Sequence, residues 1–493
     1  MKKLDASTQL DLFDYRYGKN GVILYQEGVT SPETAVIDDD EEEKQEMLGK
    51  YCVEVSSEYF DSLNGKLKKV ANKSLKKLAK ENPGLLIFPD NPKDLEEDIQ
   101  KDCVLETEDF GDRIRVSTYN LIGFIGCDDL KINIHSRFEE KKLNGEDKKI
   151  TDFFLIYMLE KISRLNLLDL PSPSRDDINI FDLLPYLFPQ YLKRALAQGM
   201  YKEYVRKQYN DSNIKGAIDV SRHIRSNIPF LGKVAYNTRE FSFDNRITQL
   251  IRHTIEHLRN YSLIGERILN SPDVHDMVRQ IIDATPTYSA MDRQKVIMDN
   301  LKTFAHPYYN EYAPLQKLCL AILRYDQLSY GDSDQDVHGV IFDIAALWEE
   351  YLAVVLQDLD IVHPNNRETT NPQYIFEGIT NAYERYPDFF RKDKSCVMDA
   401  KYKRIADNGH HIERNDIHQL ITYMYIMQAP KGMIISPAVA DDLSHWKDIG
   451  TLNGYGGIVQ IYYMRIPESN DYTSFCKAMK TEEWLLRNRL TCE

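Results

Sequence analysis

The sequence has no apolar run long enough to cross a membrane. No uninterrupted stretch in its 493 residues approaches the about 18 apolar residues that span a bilayer. The opening Met1-Lys2-Lys3-Leu4 leads into Asp5 and not into the apolar core of a secretion signal. We therefore expect a cytoplasmic protein that has no contact with membranes.

Cysteine and basic charge are also scarce. The seven cysteines are odd in number, widely spread and without a C-x-x-C pair, which predicts reduced thiols and no thiolate metal site. The chain has 62 Lys and Arg against 77 Asp and Glu, a net charge of −15, so its surface as a whole does not attract polyanions. Any nucleic-acid role must be local or shared with a partner.

A nucleotide-binding motor is not predicted in this chain. The phosphate-cradling pattern G-x-x-x-x-G-K-[ST] occurs nowhere in the sequence. If the protein works with a nucleotide-driven motor, that motor is a separate chain.

The first predicted segment, residues 1–150, is polar at its start and β-rich toward its end. Strand patterns lie at Arg113 to Thr118, Leu121 to Ile125 and Lys131 to Ser136. Short polar breaks separate them, which indicates an antiparallel meander.

Two further segments follow. Residues 151–335 have helical periodicity, and their clearest helix is expected to open at Asp244 as its N-cap. The polar run Tyr330 to Asp336 indicates a boundary. Residues 336–493 alternate helices and strands, as a mixed α/β domain does. The predicted fold class is therefore α/β, or α+β over the whole chain.

Two acidic residues and a lysine stand out in the last segment. Asp388 follows Pro387, and Asp399-Ala400-Lys401 begins eleven residues later. This spacing fits two adjacent strands joined by a polar turn. Because side chains alternate along a strand, Asp399 and Lys401 share one face, to which Asp388 adds a second carboxylate. Two oxygen donors favour a hard ion such as Mg²⁺ over Zn²⁺.

Such a site suits metal-assisted phosphodiester hydrolysis. The metal lowers the pKa of a bound water and stabilises charge on the phosphoryl oxygens. Lys401 can orient the water or neutralise the developing charge. The alternative is a solvent-facing strand whose charges have no function, since Asp-x-Lys is a common pattern.

Two helices provide companions for this motif. Gln419 and Tyr423 lie four residues apart on one face of a predicted helix, so that an amide and a phenol are adjacent. Upstream, an amphipathic helix carries Trp348-Glu349-Glu350-Tyr351 and can offer a third carboxylate. Both Glu349 and Glu350 flank its apolar stripe, and periodicity leaves the choice between them open.

Pro387-Asp388, Asp399-Ala400-Lys401 and Gln419-x-x-x-Tyr423 resemble the motifs of the PD-(D/E)XK nucleases, particularly the branch with the extra Gln-x-x-x-Tyr helix. Other segments, in order from about residue 110 to 465, are similar to the McrC subunit of McrBC and LlaJI-type restriction systems. These segments are Asn120 to Ile125, Ile132 to Phe138, Ile214 to Asp219, Arg239 to Ile247 and Leu347 to Tyr351.

The resemblance implies a restriction-endonuclease-like mixed sheet flanked by helices at the C-terminal end of the chain. It also implies Mg²⁺ as cofactor, with Mn²⁺ able to substitute, and a role for each motif residue. The implied residues are Asp388, Asp399 and the Ala400 carbonyl as metal ligands, Lys401 as catalytic lysine, Glu349 as helix-borne acid, and Gln419 and Tyr423 as supports or DNA contacts.

The resemblance further implies that double-stranded DNA is the substrate and that a McrB-like AAA+ GTPase, a hexameric ring, is the partner. The N-terminal and middle segments would dock on this ring and stimulate its hydrolysis, and Arg113, Arg115 and Arg137 are open candidates for a charged contact there. Two other functions remain open. One is a non-catalytic adaptor with a nuclease-like fold, and the other is a standalone repair-type nuclease.

Overall fold

The structure is a computed structural model of the 493-residue chain. The residues that it describes are 3–4, 9–14, 21–27, 52–82, 85–88, 103–128, 130–138, 152–162, 184–261, 263–329, 337–364, 371–378, 384–403, 412–439, 444–454, 456–469 and 471–491. The predicted boundary at Tyr330 to Asp336 lies outside them.

Twenty-one strands lie in the described ranges. They are β1 (Lys3–Leu4), β2 (Gln9–Phe13), β3 (Val22–Gln26), β4 (Cys52–Val55), β5 (Leu85–Phe88), β6 (Leu105–Asp109), β7 (Arg113–Thr118), β8 (Leu121–Cys127), β9 (Leu130–His135), β10 (Glu203–Asp211), β11 (Ala217–Ile218), β12 (Val234–Ser242), β13 (Val337–Asp343), β14 (Ile361–Val362), β15 (Gln373–Tyr374), β16 (Glu384–Arg385), β17 (Phe389–Arg391), β18 (Cys396–Ala400), β19 (Lys431–Ala438), β20 (Trp446–Thr451) and β21 (Ile458–Arg465).

Thirteen α-helices lie in the same ranges. They are α1 (Ser57–Val70), α2 (Leu75–Glu81), α3 (Phe153–Ile162), α4 (Leu184–Ala197), α5 (Val220–Ser226), α6 (Arg246–Tyr261), α7 (Leu263–Asn270), α8 (Pro272–Ala284), α9 (Arg293–Asp299), α10 (Tyr312–Ser329), α11 (Ile344–Val355), α12 (Arg414–Met427) and α13 (Tyr472–Thr491). The mixture of helices and sheets confirms the predicted α/β class. In the described part of the chain, no helix is both long and apolar enough to cross a bilayer.

The chain forms two compact units, which differ from the three predicted segments. One unit contains Met1–Ile180 and Gly331–Glu493, and the other contains Phe181–Tyr330. The segments predicted as 1–150 and 336–493 therefore lie in one unit. Helix α3, assigned from the sequence to the middle segment, also lies there, where the Tyr157 ring packs edge-on against Tyr351 of α11.

The nine N-terminal strands and β13 form two five-stranded sheets, ordered β1-β4-β3-β7-β6 and β2-β9-β8-β13-β5. The predicted meander is therefore only partly right. Strands β8 and β9 pair antiparallel, but β7 pairs with β3 and β6 in the other sheet. Residues Tyr119 and Asn120 carry the chain from one sheet to the next.

Strand β13 joins the C-terminal part of the chain to an N-terminal sheet. It pairs antiparallel with β8 and parallel with β5. The backbones approach so closely that a Cβ atom on Gly123 would lie 2.1 Å from the Val340 carbonyl oxygen, and one on Gly339 would lie 2.1 Å from that of Phe124. Only glycine fits at these two positions.

A six-stranded sheet, ordered β14-β17-β18-β19-β21-β20, forms the core of the C-terminal part. Its centre is parallel, because β19 runs parallel to both β18 and β21. Helix α12 packs Leu420 and Met424 into this core. Asp343 is the N-cap of helix α11. Its side chain accepts hydrogen bonds from the amides of Ala345 and Ala346 at 3.0 and 3.2 Å.

The unit Phe181–Tyr330 contains helices and one three-stranded sheet, ordered β10-β12-β11. This sheet is not predicted from the sequence, because its strands are rich in polar residues. Helix α6 buries an apolar stripe, as its helical periodicity predicts, made of Ile247, Leu250, Ile251, Ile255 and Leu258. The predicted N-cap is wrong. Asn245 Oδ1 accepts from the amides of Ile247 and Thr248, whereas Asp244 Oδ2 accepts from the Thr287 amide at 3.1 Å.

Candidate active site

Two neighbouring strands bring the predicted acids together. Strands β17 and β18 pair antiparallel with Phe389 opposite Met398, so the predicted hairpin is present. Asp388 directly precedes β17 and Asp399 lies in β18. The Ala400 amide donates a 2.6 Å hydrogen bond to Asp388 Oδ2, which holds this carboxylate beside the Asp399 strand.

Lys401 completes the group at the end of β18. Its Nζ lies 2.9 Å from Asp399 Oδ2, and the Asp399 side chain is fully buried whereas the Lys401 side chain is 19% exposed. The Lys401 amide donates to the Ile435 carbonyl at 3.0 Å and so extends the parallel pairing with β19. The buried acid and the lysine therefore lie at one edge of the parallel core.

Helix α12 adds the amide and the phenol. Lys401 Nζ donates to Gln419 Oε1 at 3.0 Å, and Gln419 Nε2 donates to the Tyr423 hydroxyl at 2.9 Å. The Tyr423 hydroxyl donates in turn to the Tyr386 carbonyl at 3.3 Å. The chain of hydrogen bonds thus runs from the lysine through the helix to the residue before Pro387-Asp388.

The charges of the site are strongly coupled. Burial raises the pKa of Asp388 to about 7, and the nearby Glu349 carboxylate adds to the rise, while Lys401 and the Ala400 amide act against it. Burial likewise raises the pKa of Asp399 to about 7, with Lys401 opposing and Asp388 adding. Burial alone would lower the pKa of Lys401, but Asp399 and Asp388 outweigh it and hold that pKa well above its usual value.

These residues fit a hard cation. Oδ1 of the fully buried Asp399 has no hydrogen-bond partner among the described residues, and the adjacent carboxylates repel each other when ionised. A divalent ion would give Asp399 Oδ1 a partner and would offset the repulsion between the two carboxylates. Its oxygen donors would come from Asp388, Asp399 and the Ala400 carbonyl. In the described ranges, no three or more His, Cys, Asp and Glu side chains form a ready-made metal cluster.

The helix-borne acid that faces the site is Glu349. Its charge acts on Asp388, and its Oε1 lies 3.9 Å from His363 Nε2. The preceding Trp348 is buried, and its Nε1 donates to the Ile435 carbonyl at 3.4 Å. The tertiary structure thus favours Glu349 over Glu350 as the site's neighbour, a choice that periodicity left open.

One residue beside the site is not predicted from the sequence. Nδ1 of His363 lies 2.8 Å from the Asp388 carbonyl oxygen. His363 follows the two-residue strand β14 and belongs to none of the recognised motifs. A short strand of this kind leaves no periodic signal that could have identified the residue.

The arginines proposed for a partner contact differ in their surroundings. Arg137 is buried, and its Nε donates to Asp14 Oδ2 at 2.9 Å, which rules it out as a surface contact. Arg115 pairs with Glu108 at 2.7 Å, and Arg113 Nε lies 3.7 Å from Asp112. Only Arg113 and Arg115 therefore remain as surface candidates.

Comparisons with known proteins give one family and several solved structures, among them the following two. Residues 116–437, which include Asp388, Asp399, Lys401, Gln419 and Tyr423, match the family described as McrBC 5-methylcytosine restriction system component. A refined half-complex of Thermococcus gammatolerans McrB AAA+ hexamers with bound McrC matches at 15% identity and a TM-score of 0.41, covering 96% of this chain and 100% of that chain. The cryo-EM structure of the Thermococcus gammatolerans McrBC complex matches at 13% identity and a TM-score of 0.26, covering 71% of this chain and 88% of that chain. No curated protein matches.

Proposed function

The chain belongs to the family of McrBC 5-methylcytosine restriction system components, and from this premise we propose that it is the McrC-type nuclease subunit of such a system. In this proposal it hydrolyses phosphodiester bonds of double-stranded DNA with Mg²⁺, in the manner of PD-(D/E)XK nucleases and LlaJI-type systems. The observation that carries the proposal is the meeting of Asp388, Asp399 and Lys401 at the ends of adjacent strands.

The residues of the site have separate tasks in the proposed reaction. Asp388, Asp399 and the Ala400 carbonyl would hold Mg²⁺, which supplies an activated water and charge stabilisation on the phosphate. The Lys401 ammonium neutralises negative charge that develops on the phosphoryl oxygens. Gln419 Oε1 accepts a 3.0 Å hydrogen bond from Lys401 Nζ and so fixes the position of the ammonium group. Glu349 adds a third carboxylate at the rim.

A separate AAA+ GTPase, McrB-like and hexameric, is the proposed partner. Three observations support it: the family, the absence of a phosphate-binding loop from the sequence, and a net charge of −15 that disfavours DNA capture by this chain alone. The solved relatives are complexes of McrC with McrB. The unit Phe181–Tyr330 offers a candidate docking surface, since Ile228, Phe230 and Leu231 are 68, 63 and 84% exposed.

The proposal is tested by expressing the chain with its genomic neighbour and assaying methylated and unmethylated plasmids with GTP and Mg²⁺. We expect cleavage by the wild-type complex and none by Asp388→Ala, Asp399→Ala or Lys401→Ala, each assayed where it is still folded and assembled, since Lys401→Ala also lowers stability by removing the counter-charge of the buried Asp399. Wild-type cutting by these variants would remove the assigned site. If the chain binds no Mg²⁺ or Mn²⁺ at millimolar concentration, a non-catalytic adaptor is the better explanation.

A further inference from the structure

His363 connects the two acid-bearing elements of the site. Its Nδ1 lies 2.8 Å from the Asp388 carbonyl oxygen, and its Nε2 lies 3.9 Å from Glu349 Oε1. The imidazole ring stacks on the buried Phe389 ring, with centroids 4.9 Å apart and planes inclined by 26°. One ring thus contacts the start of β17 and faces helix α11.

The chemistry of the carbonyl determines which nitrogen carries the proton. A carbonyl oxygen only accepts hydrogen bonds, so Nδ1 is the donor and Nε2 is directed at Glu349. The 3.9 Å separation between Nε2 and Oε1 exceeds a direct hydrogen bond but is within ion-pair range. His363 therefore holds the Asp388 backbone directly, and Glu349 lies next to its other ring nitrogen.

The packing of the sheet does not require an imidazole here. The β14 pairing is made by Ile361 opposite Arg391 and Val362 opposite Phe390, both before His363 in the chain. The His363 side chain is 27% exposed, so a leucine could cover Phe389 equally well. What leucine cannot do is donate to the Asp388 carbonyl.

We propose that His363 is a positioning residue of the nuclease site. By fixing the Asp388 carbonyl, it holds the Asp388 carboxylate where the Ala400 amide reaches it at 2.6 Å. Residues that orient metal ligands in this way change metal affinity or activity by about 10- to 100-fold when they are replaced. The inference rests on the proposed function and assigns a residue to it that lies outside every motif of the sequence.

Two variants and one control separate positioning from packing. His363→Leu keeps the bulk and removes the donor, whereas His363→Asn keeps a side-chain N–H near the Nδ1 position. His445→Leu is the matched control, because the His445 side chain is 28% exposed and its Nε2 lies 3.0 Å from Glu482 Oε2. His445 precedes β20, which is the opposite edge strand from β14 in the same sheet.

The experiment uses the full chain and its complex and has three readouts. Calorimetric titration with Mg²⁺ measures metal affinity, hydrogen exchange of the Ala400 amide measures the hold on Asp388, and plasmid cleavage measures activity. For His363→Leu we expect Mg²⁺ affinity and cleavage to fall about 10- to 100-fold and Ala400 exchange to accelerate. We expect His363→Asn to restore most of each, and His445→Leu to resemble wild type in all three.

The inference is overturned if His363→Leu matches His445→Leu in Mg²⁺ affinity and Ala400 exchange, or if His363→Asn is as impaired as His363→Leu. The exchange readout needs neither metal nor DNA. If the wild-type chain neither binds Mg²⁺ nor cuts DNA, the proposed function fails and the nuclease role of His363 fails with it. The positioning role alone is defeated if wild type binds Mg²⁺ and cuts DNA but the Ala400 amide of His363→Leu exchanges at the wild-type rate.

Discussion

Lys401 and Gln419, eighteen residues apart in sequence, are joined by a 3.0 Å hydrogen bond from the lysine ammonium to the glutamine carbonyl oxygen. The bond connects the end of β18 to helix α12. Because Gln419 is held in turn by Tyr423, the orientation of the helix determines the direction of the lysine. The helix is thereby part of the site and not only a cover for the sheet.

The first prediction concerns this helix. Gln419→Leu should lower cleavage by the assembled complex by up to about 100-fold, because Lys401 loses the group that orients it. Tyr423→Phe should cost less, since Gln419 itself remains. Plasmid cleavage at saturating Mg²⁺ checks both. Tyr425→Phe, a substitution of the same kind on the exposed side of α12, is the control, and equal losses in all three variants would refute the orienting role.

The second prediction concerns the balance between stability and metal binding at Asp388. The pKa of this carboxyl rises from 3.8 to about 7 on folding, so its ionisation lowers stability as the pH rises from about 4 to 7, and the full cost remains above 7. Asp388→Asn removes that charge and keeps an acceptor for the Ala400 amide. In EDTA at pH 8 the unfolding free energy of the variant should exceed that of wild type by an amount on the order of 1 kcal/mol or more, and its melting temperature should be higher.

Mg²⁺ should reverse the order of Asp388→Asn and wild type. Added metal is expected to raise the melting temperature of wild type and to leave that of the variant unchanged, since binding stabilises only a folded state with the site intact. Thermal unfolding with and without Mg²⁺ measures this. If the variant melts at a lower temperature than wild type in EDTA at pH 8, the ionised Asp388 carboxylate does not destabilise the folded protein.

The third prediction concerns the ion pair of Lys401 and Asp399. Lys401→Met leaves a fully buried carboxylate without its counter-charge, and at pH 8 this should destabilise the protein by about 3–5 kcal/mol. The loss should shrink at lower pH, where Asp399 is protonated. The double variant Asp399→Asn with Lys401→Met should recover most of the stability but no cleavage. Denaturant unfolding of Lys401→Met, Asp399→Asn and the double variant tests this, and additive losses would contradict it.

The fourth prediction concerns the buried pair of Asp14 and Arg137. Their side chains are 0 and 3% exposed, and the Arg137 guanidinium also lies 4.8 Å from the centroid of the Tyr402 ring. Arg137→Met should destabilise the protein by about 3–5 kcal/mol, because Asp14 keeps a buried charge. Asp14→Asn with Arg137→Met should cost less. Chemical unfolding measures the stability of each variant. If Arg137→Met leaves the unfolding free energy unchanged, the Asp14 charge is not buried.

The fifth prediction concerns the pH dependence of stability at His135. Burial alone would lower its pKa, but the carboxylates of Asp152 and Asp11 outweigh burial and raise the pKa to about 10. Nδ1 lies 2.7 Å from Asp152 Oδ2. The stabilisation is fully present below the unfolded pKa of about 6.5 and is lost as the pH rises toward 10.

His135→Gln removes this dependence. The difference in unfolding free energy between wild type and His135→Gln should be largest near pH 6 and should decline steadily between pH 6.5 and 10. Denaturant unfolding at several pH values gives the difference. A difference that does not change with pH would show that His135 is uncharged in the folded protein.

Much of the C-terminal architecture follows from local patterns. Alternation along Asp399-Ala400-Lys401 predicts that the acid and the lysine share a face, and their 2.9 Å contact agrees. Helical spacing predicts that Gln419 and Tyr423 are neighbours, and they are hydrogen-bonded. The edge strands β14 and β20 escaped prediction, because one has two residues and the other is largely exposed.

The sequence by itself determined the periods of the helices and strands and which side chains share a face, because these depend on backbone geometry over a few residues. Only the tertiary structure decided that β13 joins an N-terminal sheet, that Arg137 is buried against Asp14, and that His363 meets Asp388. Each of these contacts joins segments far apart along the chain. Local periodicity carries no information about which distant surfaces meet, since that depends on the packing of the whole core.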